Sequence, residues 1–279
     1  MGIIPLWKEK CLDFWKNSCN RMNLELKNKL FVVTGATSGL GGQIAKMLMD
    51  EGAIVIANAR GQDRLIELKN TYSDLVEILP GDITSDAVLS QIKRMIGHRY
   101  LSGILINSGG PPAMSFLTTE LSHWDAAYES ILRWKVKITK ELLPIFMEQN
   151  YGRILYIESA SVKQPIENLV LSNSLRLAVV GFVKTLSQEI ARSGVTLNIL
   201  APGYHATPAM ERLFTHRSML LGITPEEAKS EFEKETQVGF LGRPQDFASL
   251  AVWLLSPLSG YVTGQTISVD GGLIKGTMG

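Results

Sequence analysis

Three glycines stand in one short turn, Gly35-Ala36-Thr37-Ser38-Gly39-Leu40-Gly41, directly after the β-rich run Leu30 to Thr34 and directly before an apolar helical pattern. A strand, a glycine turn and a helix in that order make an anion site. Gly35 permits the tight turn, Gly39 lets the backbone approach a pyrophosphate, and Gly41 lets the helix pack closely, while unpaired helix N-terminal N–H groups face the ligand. Glycines also serve ordinary turns that need positive φ, so it is the placement that carries the reading. The choice between dinucleotides falls at the end of the second strand, where an acid would accept from the ribose 2′-hydroxyl and a base would pair with a 2′-phosphate. The segment Ala53 to Arg60 contains no acid and ends in Ala59-Arg60, although Ser38 adds no second basic group. NADP(H) is therefore expected over NAD(H). The four histidines show no ligand spacing and both cysteines lie in the first twenty residues, so no metal is expected.

The elements that must position this turn are legible as an alternation. Strand-like runs fall at Leu30–Thr34, Ile54–Asn58, Leu75–Leu79, Gly103–Asn107, Arg153–Ile157, Thr196–Leu200 and Thr266–Val269, with helical patterns near 40–51, 61–70, 85–97, 120–149, 168–192 and 244–255. Strand and helix in alternation predict one α/β unit, a doubly wound parallel sheet of about seven strands with helices on both faces. The charged, Met- and Glu-rich stretch 204–239 interrupts the rhythm and is expected to form a lid over the substrate. Residues 1–25 are an extension in which Ile3, Trp7, Cys11, Phe14 and Trp15 line one face of an amphipathic helix, to pack on its own domain or a neighbouring subunit, or to lie on a membrane surface. Met22 could also serve as the start of the chain, and 26–279 is the expected dinucleotide-binding domain.

The turn, spaced G-x-x-x-G-x-G after Thr34, resembles that of the short-chain dehydrogenase/reductase family. Further motifs carry the resemblance. They are Asp82-Ile83 in Gly-Asp-Ile-Thr, Asn107-Ser108-Gly109-Gly110 after the fourth strand, Pro202-Gly203 with Thr207, and Gly264-Gln265 with Asp270-Gly271-Gly272. The likeness spans about residues 26–275, and within the family the chain resembles 3-oxoacyl-carrier-protein reductases and related ketone reductases. It implies a cofactor site made by Gly35, Thr37, Ser38, Gly39, Leu40, Gly41, Arg60, Asp82, Ile83, Asn107, Ser108, Gly109, Arg176, Pro202, Gly203 and Thr207. A small-molecule carbonyl substrate and a homotetramer or homodimer built on the two long helices are implied with it.

The family's catalytic set is a serine, a tyrosine four residues before a lysine, and an asparagine on the fourth helix. The lysine ammonium lowers the tyrosine phenol so that it can act as an acid, and the serine holds the substrate oxygen. Ser159 keeps the serine position. The tyrosine position holds Ser172, the lysine position Arg176 and the asparagine position Ile131, in a register confirmed by Gly181-Phe182 and Lys184. Serine is a poor proton donor near pH 7, and arginine keeps the charge but releases no proton. Ser159, Ser172 and Arg176 are the expected catalytic residues. Glu158, Lys163, His123, Tyr204 and His205, which border the family's cleft, are candidates for a replacement donor; Lys163 could equally be a solvated loop lysine, and Tyr204 and His205 packing groups. Two readings follow: an NADP(H) oxidoreductase with a non-standard proton donor, or a catalytically inactive nucleotide-binding sensor or structural subunit.

Composition bounds the rest. The chain has 279 residues with 28 Lys+Arg against 27 Asp+Glu, and a net charge of +1 supplies no field to draw nucleic acid. No run of 18 apolar residues and no secretory signal pattern is present, and cysteines are absent from residue 20 onward, which fits a cytoplasmic protein.

Overall fold

A computed structural model of the protein describes residues 22–277, so the N-terminal helix expected from the sequence, with Cys11 and Cys19, lies outside the described residues. Seven strands form one parallel sheet: β1 (Leu30–Thr34), β2 (Ile54–Ala59), β3 (Val76–Pro80), β4 (Leu101–Ile106), β5 (Gly152–Ile157), β6 (Val195–Pro202) and β7 (Thr266–Val269). Their order is β3-β2-β1-β4-β5-β6-β7. Each parallel crossover carries a helix, and the strand order reverses between β1 and β4, the place where an open α/β sheet parts its helices and leaves a crevice.

Successive side chains of a strand point to opposite faces, and here both faces are apolar. Phe31 and Val33 pack against α1 (Gly39–Asp50), α2 (Gln62–Tyr72) and α9 (Pro244–Leu255). Leu30 and Val32 face the other way, toward α3 (Asp86–Ile96), α5 (Trp134–Glu148) and α6 (Val170–Glu189). Ile154 and Tyr156 of β5 belong to this second layer. Glu158, two residues on, continues the same face and is buried.

The helix expected over 120–149 is divided. α4 (Leu121–Ala127) passes into α5 through a π-helical segment, Tyr128–Arg133. Side chains loosen the ladder there: Ser130 Oγ donates to the Ala126 carbonyl at 2.8 Å, and Trp134 Nε1 donates to the Ser130 carbonyl at 2.8 Å. Ile131 sits in this segment and is fully buried. Between β6 and α9, the stretch expected as a lid forms α7 (Pro208–Leu221) and α8 (Pro225–Glu235), which share a small core of Met210, Phe214, Ala228, Phe232 and Leu241. Among the described residues no helix is long and apolar enough to cross a membrane.

Candidate active site

The glycine turn is wedged against the end of β4. Thr34 Oγ1 accepts from the Asn107 N–H at 2.8 Å and lies 2.8 Å from the Asn107 carbonyl, which closes the two strand ends on each other. A Cβ added to Gly35, whose φ is 65°, would stand 2.6 Å from Asn107 Nδ2, and one added to Gly41 would stand 2.5 Å from that atom and 2.5 Å from the Gly35 carbonyl oxygen. Asn107 therefore packs where only glycine leaves room. A Cβ added to Gly39 would meet only Thr207, at 3.9 Å. Thr207, which follows β6, thus stands at the mouth of the turn. Ser38 caps α1 without a side-chain bond, and the helix's first turn holds no acid, so the N–H groups of Gly39, Leu40 and Gly41 are available to an anion.

At the neighbouring strand end, Asn58 Nδ2 donates to the carbonyls of Leu79 and Gly81 at 3.0 and 3.2 Å, tying β2 to β3. This carboxamide was not singled out in the sequence, although a polar residue inside a buried strand is a usable signal. Ala59 is buried, Arg60 is exposed, and Ile83 lies at the edge of the core. Asp82 accepts from the Thr84 N–H at 2.9 Å and the Thr84 hydroxyl at 2.8 Å. Those two bonds hold its carboxyl below the usual range, with a smaller contribution from the Arg60 charge. Arg60 and Asp82 thus share one rim of the crevice.

The chemistry-bearing end of β5 holds a buried charge cluster. The Glu158 side chain has no solvent exposure; its Oε1 bonds the ammonium of Lys135, itself fully buried, and its Oε2 accepts from Arg176 Nη1 at 2.9 Å. Arg176 Nη1 also donates to the Glu158 main-chain carbonyl at 3.1 Å, and Nε donates to Ser172 Oγ at 3.0 Å. Ser159, half-buried at the strand tip, accepts from the Ser161 N–H at 3.1 Å. Of the residues expected at the family's catalytic positions, Ser172 and Arg176 join Glu158 through these bonds, Ser159 follows it in the chain, and Ile131 lies in the π segment. Burial pulls the Lys135 ammonium down to about 8, against the opposing pull of Glu158.

The candidate replacement donors separate on this geometry. His123 is the N3 residue of α4, and its Nδ1 accepts from the Glu120 N–H at 3.0 Å as half of a capping box. Tyr204 donates to Glu235 Oε2 at 2.7 Å and packs edge-on against Phe232, and burial raises its phenol further from neutrality. His205 is buried edge-on against Phe247, and burial lowers its imidazole, so it stays neutral at pH 7. Lys163 is half-buried on the turn after Ser159. Lys135 is the group the sequence reading passed over. It lies in the buried stripe of Ile131, Trp134, Ile138 and Leu142, at the spacing of a core position, and that spacing is the signal that marks it. Among the described residues no cluster of His, Cys, Asp or Glu could hold a metal ion.

Residues 35–274 match the family model described as enoyl-(acyl carrier protein) reductase. The chain is 31% identical over 258 residues to a protein of Streptomyces coelicolor assigned as a ketoacyl reductase, covering 88% of this chain and 97% of that one. It is 26% identical over 260 residues to the 3-oxoacyl-[acyl-carrier-protein] reductase of Thermotoga maritima, covering 90% and 100%. A solved variant of the actinorhodin polyketide ketoreductase with NADPH superposes with a TM-score of 0.81 at 28% identity, over 88% of this chain and 97% of that one. With its strand order, glycine turn and strand-end motifs in place, the chain belongs to the short-chain dehydrogenase/reductase family of oxidoreductases.

Proposed function

We propose that this protein is an NADP(H)-binding oxidoreductase that transfers hydride to a carbonyl, of a 3-oxoacyl thioester or ketone, with a proton donor other than the family's tyrosine. The observation that carries the reading is the intact crevice: the Asn107-wedged glycine turn, Thr207 across from Gly39, and Arg60 beside Asp82 at the rim. The named activities of the relatives, and the NADPH in one solved neighbour, point the same way. The N–H groups of Gly39, Leu40 and Gly41 would hold the pyrophosphate, with Thr37 and Ser38 lining the turn, and Arg60 the 2′-phosphate. Asp82 and Ile83 would border the adenine. Asn107, Ser108, Gly109, Pro202, Gly203 and Thr207 would wall the nicotinamide half, and Arg176 would hold its ribose.

The bound nicotinamide would supply a hydride. The protein's own part is to orient the carbonyl and settle the charge that develops on its oxygen. Ser159 Oγ accepts from Ser161 N–H, which leaves its own hydrogen for the substrate oxygen. Ser172 Oγ accepts from a guanidinium, which strengthens its hydroxyl as a donor, and the proton it passes to the alkoxide is regained from water. The helices after β6 would close over the substrate as a lid. A homotetramer or homodimer fits the exposed apolar side chains of Met147 on α5 and Leu177 on α6, with Leu121 and Tyr128 on the segment before α5; the protein would be cytoplasmic, and residues 1–25 would meet a neighbouring subunit. The second reading, a nucleotide-binding protein without turnover, is favoured by the replacement of the acid pair at Ser172 and Arg176.

A thermal-shift titration with NADPH, NADP, NADH and NAD tests the cofactor. A ligand at about 100 times its Kd adds about 2.7 kcal/mol, roughly 5–10 °C for a domain of this size. Turnover of 3-oxoacyl thioesters and ketones then separates the two readings: hydride transfer supports the oxidoreductase, and nucleotide binding without turnover of any of them supports the sensor.

A further inference from the structure

The buried cluster sets two cations, Lys135 and Arg176, against the single carboxylate of Glu158. A guanidinium and a carboxylate left to themselves form a two-point fork, with two parallel N–H···O bonds. Here that fork is not formed: Oε1 bonds the Lys135 ammonium, and Arg176 reaches only Oε2, through Nη1. Nε is held by Ser172 Oγ and Nη1 again by the Glu158 carbonyl. The remaining corner, Nη2, is turned toward the loop after β4: a Cβ on Gly110 would stand 3.2 Å from it. That loop begins at Asn107, the residue wedged into the glycine turn, so Nη2 adjoins the loop that walls one side of the crevice.

We propose that Lys135 is a positioning residue for the cofactor site: by occupying Oε1 of Glu158 it denies Arg176 the two-point fork and keeps Nη2 presented to the crevice. This rests on the reading above in which Arg176 contacts the nicotinamide ribose. The energetics favour a functional reason for the lysine. A second cation in a fully buried position adds desolvation, and an apolar residue in the stripe between Ile131 and Ile138 would avoid it. The lowered position of its ammonium, about 8, still leaves it mostly charged at pH 7, so Oε1 stays occupied under working conditions. Lys135 touches neither cofactor nor substrate in this account and acts only through Glu158 and Arg176.

The test is NADPH affinity, measured by calorimetric titration of the full chain, for the wild type, Lys135→Met, Arg176→Met and the double variant, with a melting curve for each. Lys135→Met frees Oε1, so the fork forms and Nη2 withdraws; the Kd is expected to rise about fivefold or more while the melting temperature holds or increases. In the Arg176→Met background the same change is expected to alter Kd by less than about twofold, since the route through Arg176 is gone. Adding Glu158→Gln to Lys135→Met is expected to recover affinity, because an amide offers one acceptor oxygen and cannot complete the fork. Gly110→Ala crowds Nη2 directly and keeps the question open to experiment should Lys135→Met fail to fold: its loss of affinity is expected only when Arg176 is present. Loss in Arg176→Met with Kd unmoved in both Lys135→Met and Gly110→Ala overturns the positioning role and leaves the cofactor reading standing. An unmoved Kd in Arg176→Met overturns the ribose contact, and the role of Lys135 falls with it.

Discussion

Gly41→Ala separates two effects of opposite sign. The residue lies in the first turn of α1, where an alanine gains up to about 1 kcal/mol in helix propensity over glycine. Against this, its Cβ would stand 2.5 Å from Asn107 Nδ2 and 2.5 Å from the Gly35 carbonyl oxygen, both well inside van der Waals contact. The Asn107 carboxamide is a side-chain end and could rotate away. The Gly35 carbonyl is backbone, in a turn whose φ of 65° only glycine adopts easily, and cannot yield without shifting β1 or α1. Overpacking of this kind typically costs about 1–3 kcal/mol, and because the Gly35 carbonyl cannot yield the upper part of that range applies, about 2–3 kcal/mol, so after the propensity gain a net loss of about 1–2 kcal/mol is expected. In a domain of this size that is roughly 2–8 °C in melting temperature, readable by calorimetry. Asn107→Ala placed on top relieves one clash and leaves the other, so it is not expected to restore the wild-type value. A Gly41→Ala protein that melts at or above the wild-type temperature and binds NADPH unchanged would refute the view that close packing of strand end against helix forms this turn.

Three further outcomes are expected. Arg60→Ala should weaken NADPH by about tenfold or more at low salt while leaving NADH within about twofold, and the difference should shrink as salt screens the exposed guanidinium; equilibrium titration with both nucleotides checks it. Ser159→Ala should lower kcat by about a hundredfold or more with NADPH affinity kept, measured by steady-state assay beside a binding titration. Lys135, held at about 8 in the folded protein against about 10.4 in the unfolded chain, makes the unfolded state bind more protons between those values. Its burial penalty is therefore full below about pH 8 and relieved as pH climbs toward 10, so the wild type should gain on Lys135→Met across that window in denaturant midpoint, by up to about 3 kcal/mol.

The sheet was legible because its central strands are buried on both faces and its strands read as short apolar runs: β1 and β7 begin and end where the sequence places them, and the others differ by a residue or two. β4 starts earlier, at Leu101, because the Gln149 carboxamide clamps the Leu101 N–H and carbonyl at 2.9 Å each, a contact made from a distant helix end. The π segment was not legible for a similar reason. It is accompanied by two hydrogen bonds of Ser130 and Trp134, and helical periodicity runs through them without a break. The motif residues at strand ends were visible as types at fixed spacing. The partners that hold them, Asn58 between two strands and Lys135 beneath Glu158, are ordinary polar residues in sequence and gain meaning only from what the fold brings opposite.

The charge count at Glu158 bears on how such a site could work without the family's acid. A tyrosine beside a lysine yields a proton because the neighbouring ammonium makes the phenol acidic; a serine beside an arginine does not reach that range, and the arginine holds its protons. What Arg176, Lys135 and Glu158 retain is one uncompensated positive charge in a buried position. In a low-dielectric pocket an excess cation is costly in the empty protein and most effective when negative charge arrives, as a bound nucleotide or as the oxyanion formed on hydride transfer. On the proposed reading, a site with a serine for its donor and an extra cation would draw its rate from stabilising the alkoxide until Ser172 passes it a proton that water then replaces. The separation of affinity from stability at Lys135, and of turnover from affinity at Ser159, are the two places where that division of labour becomes measurable.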